Sequence, residues 1–416
     1  MTCPAATTLP HLPEELAALG ELALDLRWSW SHATDVLWER IDPALWALTH
    51  NPWLILQNTS GERLRALAAD PVFMASLQAL ATDHQDMLAS PAWFQTAYPQ
   101  SALRHVAYFS MEFGLSESLP IYSGGLGILA GDFLKTASDL GVPVTGVGLL
   151  WQRGYFRQSL DEHGNQVEFF PHNDPAQLPV LPVYDQKGER LRVELPFPGR
   201  TLILRAWQVR VGRVSLYLLD SNDPLNTPAD RGITAELYGG GSEMRLLQEI
   251  CLGVGGWQLL RRVGIQPDVI CCRSDAPVSQ DLRDKIALFC DVDKRAVVPM
   301  VTSKVLYEVP LLLEQAGLKA SAKWILFEGG DASGLDRSIP LSKALDDCLR
   351  GELREPAAAV VQSMPGTIGN QKLRPRNSRV AARADAIGTP VRCSMVTLTA
   401  SNVPKPPGRK PSASPT

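Results

Sequence analysis

The residues of this chain whose types and spacing could do chemistry lie in the stretch 122–131, which reads Tyr-Ser-Gly-Gly-Leu-Gly-Ile-Leu-Ala-Gly. Its glycines lead into a segment whose apolar residues recur at helical spacing, namely Leu126, Leu129, Phe133, Ala137 and Leu140. A glycine-rich turn before a helix gathers unpaired N–H groups and the positive end of the helix dipole. The sequence therefore predicts an anion-binding turn, with a purely structural tight turn as the alternative.

The elements that must position this turn follow the order strand, glycine turn, helix, strand. Residues 106–110 predict a buried strand before the turn, and residues 142–150 predict a second strand after the helix. This order fits a doubly wound α/β fold, which binds ligands at the carboxyl ends of its strands. Residues 167–198 and 201–219 are rich in β-type residues and predict a strand-rich lobe.

Two further segments are predicted to be helical. Residues 236–263 predict one long helix, whose inner face would carry Met244, Leu247, Ile250, Cys251 and Val254. Residues 12–100 predict a helical leader in which tryptophans stand at positions 28, 30, 38, 46 and 53. These five aromatic residues could form a carbohydrate-stacking platform or the core of a small domain. Large aromatic side chains mostly serve burial, so the core interpretation is favoured.

Composition limits the class of protein. The chain has 416 residues, of which 45% are hydrophobic and 20% charged, and its net charge is −4. This balance indicates a globular protein of two to three domains and gives no reason to expect a nucleic-acid or acidic-membrane partner. No apolar run approaches the length of a membrane span, and the N-terminus lacks the blocks of a signal peptide, so a cytoplasmic location is predicted.

Cysteine and histidine usage excludes several kinds of site. The seven cysteines are scattered without a C-x-x-C pair, which predicts reduced, buried thiols and no metal site. All seven histidines lie at or before His172. A mechanism that needs a histidine in the C-terminal part of the chain is therefore excluded.

The pattern changes after residue 266. Residues 269–272 predict a strand, Gln280–Cys290 a helix, and 306–316 a second helix. The periodicity then fades, and residues 371–416 carry nine Lys and Arg against one acid, Asp385. This tail is predicted to be disordered. A nucleic-acid-binding tail is the alternative, but no aromatic residue accompanies the charge.

Several strings in this chain resemble the bacterial α-glucan (maltodextrin or glycogen) phosphorylases. They occupy residues 108–115, 122–132, 146–158, 218–222 and 237–249. A glycogen-synthase-type transferase also carries such a glycine turn, but the Ser-Met-Glu-Phe and Met-Arg-Leu-Leu-Gln-Glu strings favour a phosphorylase. The resemblance covers about residues 10–268 and includes the tryptophan-rich leader, which looks like the helical domain of one branch of that family.

The resemblance implies a fold and an activity. It implies a small helical domain followed by the first of two Rossmann-like lobes in the GT-B arrangement of glycosyltransferases. Such enzymes split an α-1,4-glucan with inorganic phosphate to give glucose 1-phosphate. They hold pyridoxal phosphate as a Schiff base, its phosphate exchanges a proton with the substrate phosphate, and a homodimer is an assembly of the family.

The resemblance also implies individual roles. Tyr108, Gly124 and Gly125 correspond to cofactor-binding positions, and only glycine lets the backbone approach a bulky dianion so closely. Leu126, in the same loop, and Arg245, in a matching helix near the phosphate end, correspond to substrate-binding positions. For Arg245 a solvated helix residue is the alternative interpretation.

The phosphorylase resemblance ends at about residue 268. The family continues there with a Leu-Asn-Glu-Gly-His-type motif and a second lobe, which supplies the cofactor lysine and a sugar-binding histidine, whereas this chain reads Ile-Cys-Cys-Arg-Ser-Asp. The second lobe is thus predicted to be missing and the chain to be catalytically inactive. Lys135 is interpreted as a solvated residue and not as the cofactor lysine.

Residues 264–318 instead resemble a fragment of the synthetase domain of CTP synthase. Lys285 matches a family residue at the pyrimidine-nucleotide site, whereas Arg273 and Asp275 are interpreted as fold residues. The P-loop motif of a nucleotide site is absent from the chain. The switch occurs within the string Gly-Ile-Gln-Pro-Asp-Val, which predicts a recombination or assembly joint.

The sequence therefore predicts five segments and leaves three functions open. The segments are a helical domain (1–100), a phosphorylase-like α/β lobe (101–265), a CTP-synthase-like fragment (266–318), an unassigned stretch (319–370) and a disordered basic tail (371–416). The functions are an inactive phosphorylase homologue, a non-catalytic glucan-binding fragment, and a hybrid with a nucleotide-binding remnant.

Overall fold

A computed structural model describes residues 12–101, 103–154, 156–274, 277–301 and 394–400 of the chain. The described residues up to Val269, together with the strand Ser394–Ala400, form one compact unit. The described residues from Ile270 to Val301 belong to a second unit. The predicted helix at 306–316, residue Asp275 and most of the tail lie outside the described residues.

The elements follow the chain in this order. The helices are α1 (Ala17–Leu24), α2 (Asp35–Ile41), α3 (Pro43–Thr49), α4 (Pro52–Asn58), α5 (Gly61–Ala68), α6 (Pro71–Ala89), α7 (Trp93–Ala97), α8 (Gly125–Leu140), α9 (Pro228–Arg231), α10 (Ser242–Ile250), α11 (Gly256–Arg262) and α12 (Gln280–Cys290). The strands are β1 (Leu103–Phe109), β2 (Val144–Leu149), β3 (Arg157–Leu160), β4 (Gln166–Phe169), β5 (Leu181–Pro182), β6 (Arg192–Phe197), β7 (Arg200–Val211), β8 (Val214–Asp220), β9 (Val269–Ser274), β10 (Val297–Val301) and β11 (Ser394–Ala400).

The leader is helical from α1 to α7, as predicted, and polar caps explain where α3, α4, α5 and α6 begin. Asp42 accepts a hydrogen bond from the backbone of Leu45 at the start of α3, and Asn51 accepts one from Leu54 at the start of α4. In α3, α4 and α6 the next residue is proline, whose missing N–H costs nothing in the first helical turn.

The tryptophans of the leader form its core. Trp28, Trp38, Trp46 and Trp53 are buried, and the rings of Trp28 and Trp46 meet edge to face at 6.5 Å. Trp30 is half-buried, and its Nε1 donates to the carboxylate of Asp139 on α8. Buried rings offer no face to a sugar, which supports the core interpretation over the stacking platform.

Truncating a core tryptophan should therefore act on stability. We expect Trp28→Ala to lower the free energy of unfolding by about 3–5 kcal/mol, because it leaves a cavity among large side chains. The matched control is Trp93→Ala, since Trp93 lies exposed on α7. Urea unfolding followed by fluorescence measures both, and equal losses would contradict the core interpretation.

The sheet of the first unit is mixed. Its order is β11-β1-β2-β8-β7-β5, and β6 also pairs with β7. β1, β2 and β8 are parallel neighbours, whereas β7 is antiparallel to β8 and β11 is antiparallel to β1. The predicted strands at 106–110 and 142–150 are confirmed as β1 and β2, and the fold is mixed α/β.

Strand β11 differs from the disorder predicted for its seven residues. Its backbone pairs with β1, with Leu398 opposite Val106 and Val396 opposite Tyr108. The prediction averaged composition over the whole basic tail, whereas Val396, Thr397, Leu398 and Thr399 form a short run of strand-forming residues.

Helix α8 forms where it is predicted, but of the apolar residues that indicated it only Ala137 is buried. Leu126 and Leu129 are 59% and 65% exposed, and Phe133 is also exposed. The buried positions are Gly127, Ala130, Gly131, Leu134, Ala137 and Ser138. These mostly small residues have helical spacing too, and they let the helix axis approach the sheet more closely than the large residues would.

The predicted helix 236–263 is wrong at its start and in its continuity. Tyr238 and Gly240 have left-handed backbones, with φ of 60° and 75°, so α10 begins only at Ser242. A π-helical turn, Cys251–Gly255, separates α10 from α11, and Val254 in that turn is exposed rather than inward. The run Gly253-Val-Gly-Gly gives this stretch the conformational freedom that the turn uses.

The second unit contains a β-α-β unit. Strand β9 is parallel to β10, with Ile270 opposite Val297, and α12 connects them. The predicted strand at 269–272 and the predicted helix Gln280–Cys290 are both confirmed. None of the described helices is both long and apolar enough to cross a membrane.

Candidate functional site

The candidate site lies where the chain leaves the carboxyl end of β1. After Phe109 the backbone turns along the first turns of α8, and the amide of Gly114 donates to the carbonyl of Gly127 at 2.7 Å. The end of a parallel strand beside a helix N-terminus is the place where α/β sheets bind ligands. The glycine loop, here residues 122–126, stands at this edge.

The glycines around the loop are of two kinds. A Cβ added at Gly124 or Gly125 would have no neighbour within 4 Å. A Cβ at Gly127 would lie 2.7 Å from Tyr122 Cβ, and one at Gly131 would lie 2.1 Å from the carbonyl oxygen of Gly114. Gly127 and Gly131 thus allow close packing, whereas Gly124 and Gly125 face open space that a ligand could enter.

Backbone strain does not explain Gly124. Its φ of −165° is extended backbone that any residue adopts, so a tight turn does not require glycine there. The first helical N–H groups, on Gly125 and Leu126, have no carbonyl inside α8 to bind. These two amides and the open space in front of them favour the anion-binding interpretation.

Glu112 holds the loop, and sequence reasoning missed it. Its side chain is 3% exposed, and its Oε2 accepts from Ser123 N at 2.7 Å and Gly124 N at 3.3 Å. Its Oε1 accepts from the hydroxyl of Tyr238 at 2.5 Å. The Gly124 amide is therefore directed inward rather than at a ligand. The acidic residue in the Ser-Met-Glu-Phe string was the available signal.

Tyr108 lies on β1 beside α8. Its ring centroid is 5.1 Å from that of Phe133 and 6.0 Å from that of Phe113. Its hydroxyl is protonated at neutral pH, as for any tyrosine, and burial raises the pKa of the phenol further. Tyr108 can therefore offer a neutral hydrogen-bond donor at the edge of the site.

Arg245 is half-buried on α10 rather than a freely solvated helix residue. Its guanidinium carbon lies 4.6 Å from the centroid of the Tyr238 ring, in a cation–π arrangement. Its Nε is buried without a hydrogen-bond partner among the described residues. The aromatic ring of Tyr238 therefore contributes to the position of this charge.

The strings at 218–222 and 146–158 support the backbone that carries Tyr238. Asp220 accepts from Arg205 at 2.5 Å, and Ser221 and Thr234 exchange hydrogen bonds. Arg153 then pairs with Glu236 at 2.9 Å. These contacts fix the segment between β8 and α10, so the two strings have a structural explanation.

Among the described lysines none stands on the glycine loop. Lys135 lies ten residues into α8, about 15 Å from its start. It is half-buried rather than solvated, its Nζ is 5.8 Å from the Trp30 ring, and burial lowers its pKa. Lys187 lies in a turn before β6, and Lys285 and Lys294 belong to the second unit. The described residues therefore do not supply a Schiff-base lysine here.

The structure brings some predicted residues together and not others. Glu112 holds the glycine loop, which contains Gly124, Gly125 and Leu126, through the amides of Ser123 and Gly124. It also accepts from Tyr238, whose ring contacts Arg245. Lys285 is exposed on α12, in the other unit, and Asp275 lies outside the described residues. No group of acidic, histidine and cysteine side chains suited to a metal ion occurs in the described part of the chain.

The buried thiols have no sign of reactivity. Cys251, Cys271, Cys272 and Cys290 are buried and unbridged. Burial raises the pKa of Cys251 to about 12 and those of Cys271 and Cys290 to about 11. A thiolate nucleophile is disfavoured at these positions.

Comparison with known proteins finds different relatives for the N-terminal and the C-terminal parts of the chain. A family of proteins of unknown function (DUF3417) matches residues 12–119, and the CTP synthase N-terminus family matches residues 255–335. The maltodextrin phosphorylase of Thermococcus litoralis is 47% identical over 261 residues, which cover 62% of this chain and 31% of that protein. The glycogen phosphorylase of Mycobacterium tuberculosis is 48% identical over 263 residues, covering 61% and 30% respectively.

The C-terminal region has a different relative. The CTP synthase of Roseiflexus castenholzii is 66% identical over 59 residues, which cover 14% of this chain and 11% of that protein. The chain is thus homologous to glycogen and maltodextrin phosphorylases over its N-terminal part and carries a CTP synthase N-terminus fragment further on. It spans about a third of the length of the phosphorylases that it matches.

Proposed function

We propose that residues 12–268 form the helical domain and first Rossmann-like lobe of an α-glucan phosphorylase of the GT-B arrangement. The observation that carries the proposal is the open space before Gly124 and Gly125, at a helix N-terminus that a buried carboxylate holds in place. Relatives 47% and 48% identical over this part support it. The substrate class would be an α-1,4-glucan with inorganic phosphate, and the compartment the cytoplasm.

The residues in place have separate tasks in this proposal. The amides of Gly125 and Leu126 would face an anionic oxygen, with the positive end of α8 behind them. Arg245 would add a charge whose place the Tyr238 ring sets. Tyr108 would donate a hydrogen bond from its neutral hydroxyl, and burial, which raises its pKa, further favours that form.

The fit to pyridoxal phosphate is incomplete. The loop amides and the open space suit a phosphate group, but the described lysines do not suit a covalent Schiff base at this site. Phosphorolysis also needs groups from both lobes to be positioned around the glycosidic bond that is split. Because the CTP-synthase-like sequence begins where the second phosphorylase lobe would follow, we propose that this chain does not catalyse phosphorolysis by itself.

An assay of the full chain tests this proposal. Purified protein with maltoheptaose, inorganic phosphate and pyridoxal phosphate should release no glucose 1-phosphate above the protein-free blank. The positive control is the same mixture with added active maltodextrin phosphorylase. Phosphate-dependent release of glucose 1-phosphate by the chain alone would refute the proposed inactivity, whereas phosphate binding without turnover would agree with it.

A further inference from the structure

We propose that Glu112 is a positioning residue that couples the glycine loop to Arg245 through Tyr238. The inference rests on the proposed function of the loop, because it assigns the residue that sets the relative places of the loop amides and the guanidinium. The buried carboxylate of Glu112 binds two segments that lie far apart in the sequence.

Both oxygens of the carboxylate accept hydrogen bonds from these two segments. Its Oε2 takes the amides of Ser123 and Gly124, and its Oε1 takes the hydroxyl of Tyr238, 126 residues away in the sequence. A buried carboxylate without donors is costly, and charge-assisted hydrogen bonds offset that cost. If either segment moved away, the buried carboxylate would therefore lose a hydrogen-bond donor.

Tyr238 transmits this constraint to Arg245. Its backbone is left-handed, with φ of 60°, a conformation that costs energy for a tyrosine and persists where the surroundings enforce it. The hydroxyl is held by Glu112, and the ring lies 4.6 Å from the guanidinium carbon of Arg245. The direction of the ring thus depends on the hydrogen bond at its far end.

The packing of α8 leaves room for this carboxylate. A Cβ at Gly127 would lie 2.8 Å from Glu112 Oε2, closer than real side chains approach. Glycine at 127 therefore permits the hydrogen bonds to Ser123 and Gly124. Because Glu112 is 3% exposed and has donors at both oxygens, it acts through other residues and not on a substrate.

Two variants of the full chain separate the two halves of the coupling. Glu112→Gln keeps the size of the side chain but replaces one acceptor by an amide donor. Tyr238→Phe removes only the hydroxyl and leaves the charge of Glu112 in place. The matched control is Glu117→Gln, the same chemical change at an exposed position nearby. Thermal unfolding checks that each variant folds.

Hydrogen exchange by mass spectrometry is the first readout. In Glu112→Gln the amides of residues 123–124 should exchange about ten times faster than in the wild type, as expected when a buried charge-assisted hydrogen bond is lost. In Tyr238→Phe the same amides should also exchange faster, although Tyr238 donates to neither of them. Exchange equal to that of Glu117→Gln in both variants would overturn the proposal.

Affinity for inorganic phosphate is the second readout, because a merely structural role would not change it in a folded variant. Calorimetric titration should give a dissociation constant about five times larger in Tyr238→Phe than in the wild type. An unchanged constant would overturn the coupling to Arg245 while leaving the proposed function intact. If the wild type binds no phosphate, the proposed anion site fails together with the role of Arg245 in it, and the exchange of the loop in Tyr238→Phe alone decides whether Glu112 couples the loop to Tyr238. If Glu112→Gln does not fold, Tyr238→Phe still gives both readouts.

Discussion

Alanine at Gly131 should destabilise the first unit by about 3 kcal/mol, whereas alanine at Gly125 should leave its stability almost unchanged. A Cβ at Gly131 would lie 2.1 Å from the carbonyl oxygen of Gly114, which belongs to the backbone and cannot rotate away. The added carbon would therefore push α8 away from the segment that follows β1. At Gly125 the added carbon would meet nothing within 4 Å.

The sign of the Gly131 effect distinguishes packing from helix propensity. In a helix interior, alanine is ordinarily better than glycine by about 1 kcal/mol. Gly131 lies in the seventh position of α8, so propensity alone predicts that Gly131→Ala stabilises the protein. Close packing against Gly114 predicts a loss of stability instead. Urea unfolding of both variants beside the wild type gives the answer, and stabilisation by Gly131→Ala would show that α8 does not pack as described.

The glycine motif shows how far the sequence predicts the site. The order of β1, the turn, α8 and β2 follows from hydrophobic spacing, which is local information. The choice of buried face does not, because Leu126 and Leu129 have the same helical spacing as the smaller residues that are buried. Deciding between them needs the distance of α8 from residues 112–114, and a one-dimensional pattern does not contain it.

The contacts of Glu112 illustrate a second limit. Spacing rules relate residues within one helix or strand, whereas Glu112 and Tyr238 are 126 residues apart and meet only when the sheet has formed. The left-handed backbone of Tyr238 could not be predicted from the sequence either, because tyrosine seldom adopts that conformation. The late start of α10 follows from the same turn. The sequence thus predicted the segments of the candidate site but not the residue that connects them.

The leader was predicted more completely because its signals are local. Pro43 and Pro52 follow capping residues, and each opens a helix within the segment 12–100 that is predicted to be helical. The burial of the tryptophans follows from their size. The contact of the leader with the sheet does not, because it includes the buried carboxylate of Asp25, which accepts from His84 of the leader and from the amide of Gly212 between β7 and β8.

Asp25→Asn should cost about 3 kcal/mol of stability at neutral pH, because Asp25 is the buried acceptor that joins the leader to the sheet. Its carboxylate accepts from His84 Nε2 on α6 at 2.7 Å and from the amide of Gly212, in the turn between β7 and β8, at 2.7 Å. The amide of Arg27 donates at 3.0 Å. Asparagine keeps the shape but turns one acceptor into a donor that faces these N–H groups.

The pH dependence gives this prediction its sharpest test. Burial by itself would raise the pKa of Asp25, but the hydrogen bonds from His84, Gly212 and Arg27 outweigh it, and the pKa lies below the usual value. Asp25 therefore contributes stability above the unfolded-state pKa of about 3.9, and this contribution is lost as the pH falls through the folded-state pKa.

The stability gap between wild type and Asp25→Asn should be constant near neutral pH and narrow below about pH 4. Asp83→Asn, an exposed change on α6, should follow the wild type. A gap that stayed the same down to pH 3 would mean that Asp25 is held by its shape and not by its charge.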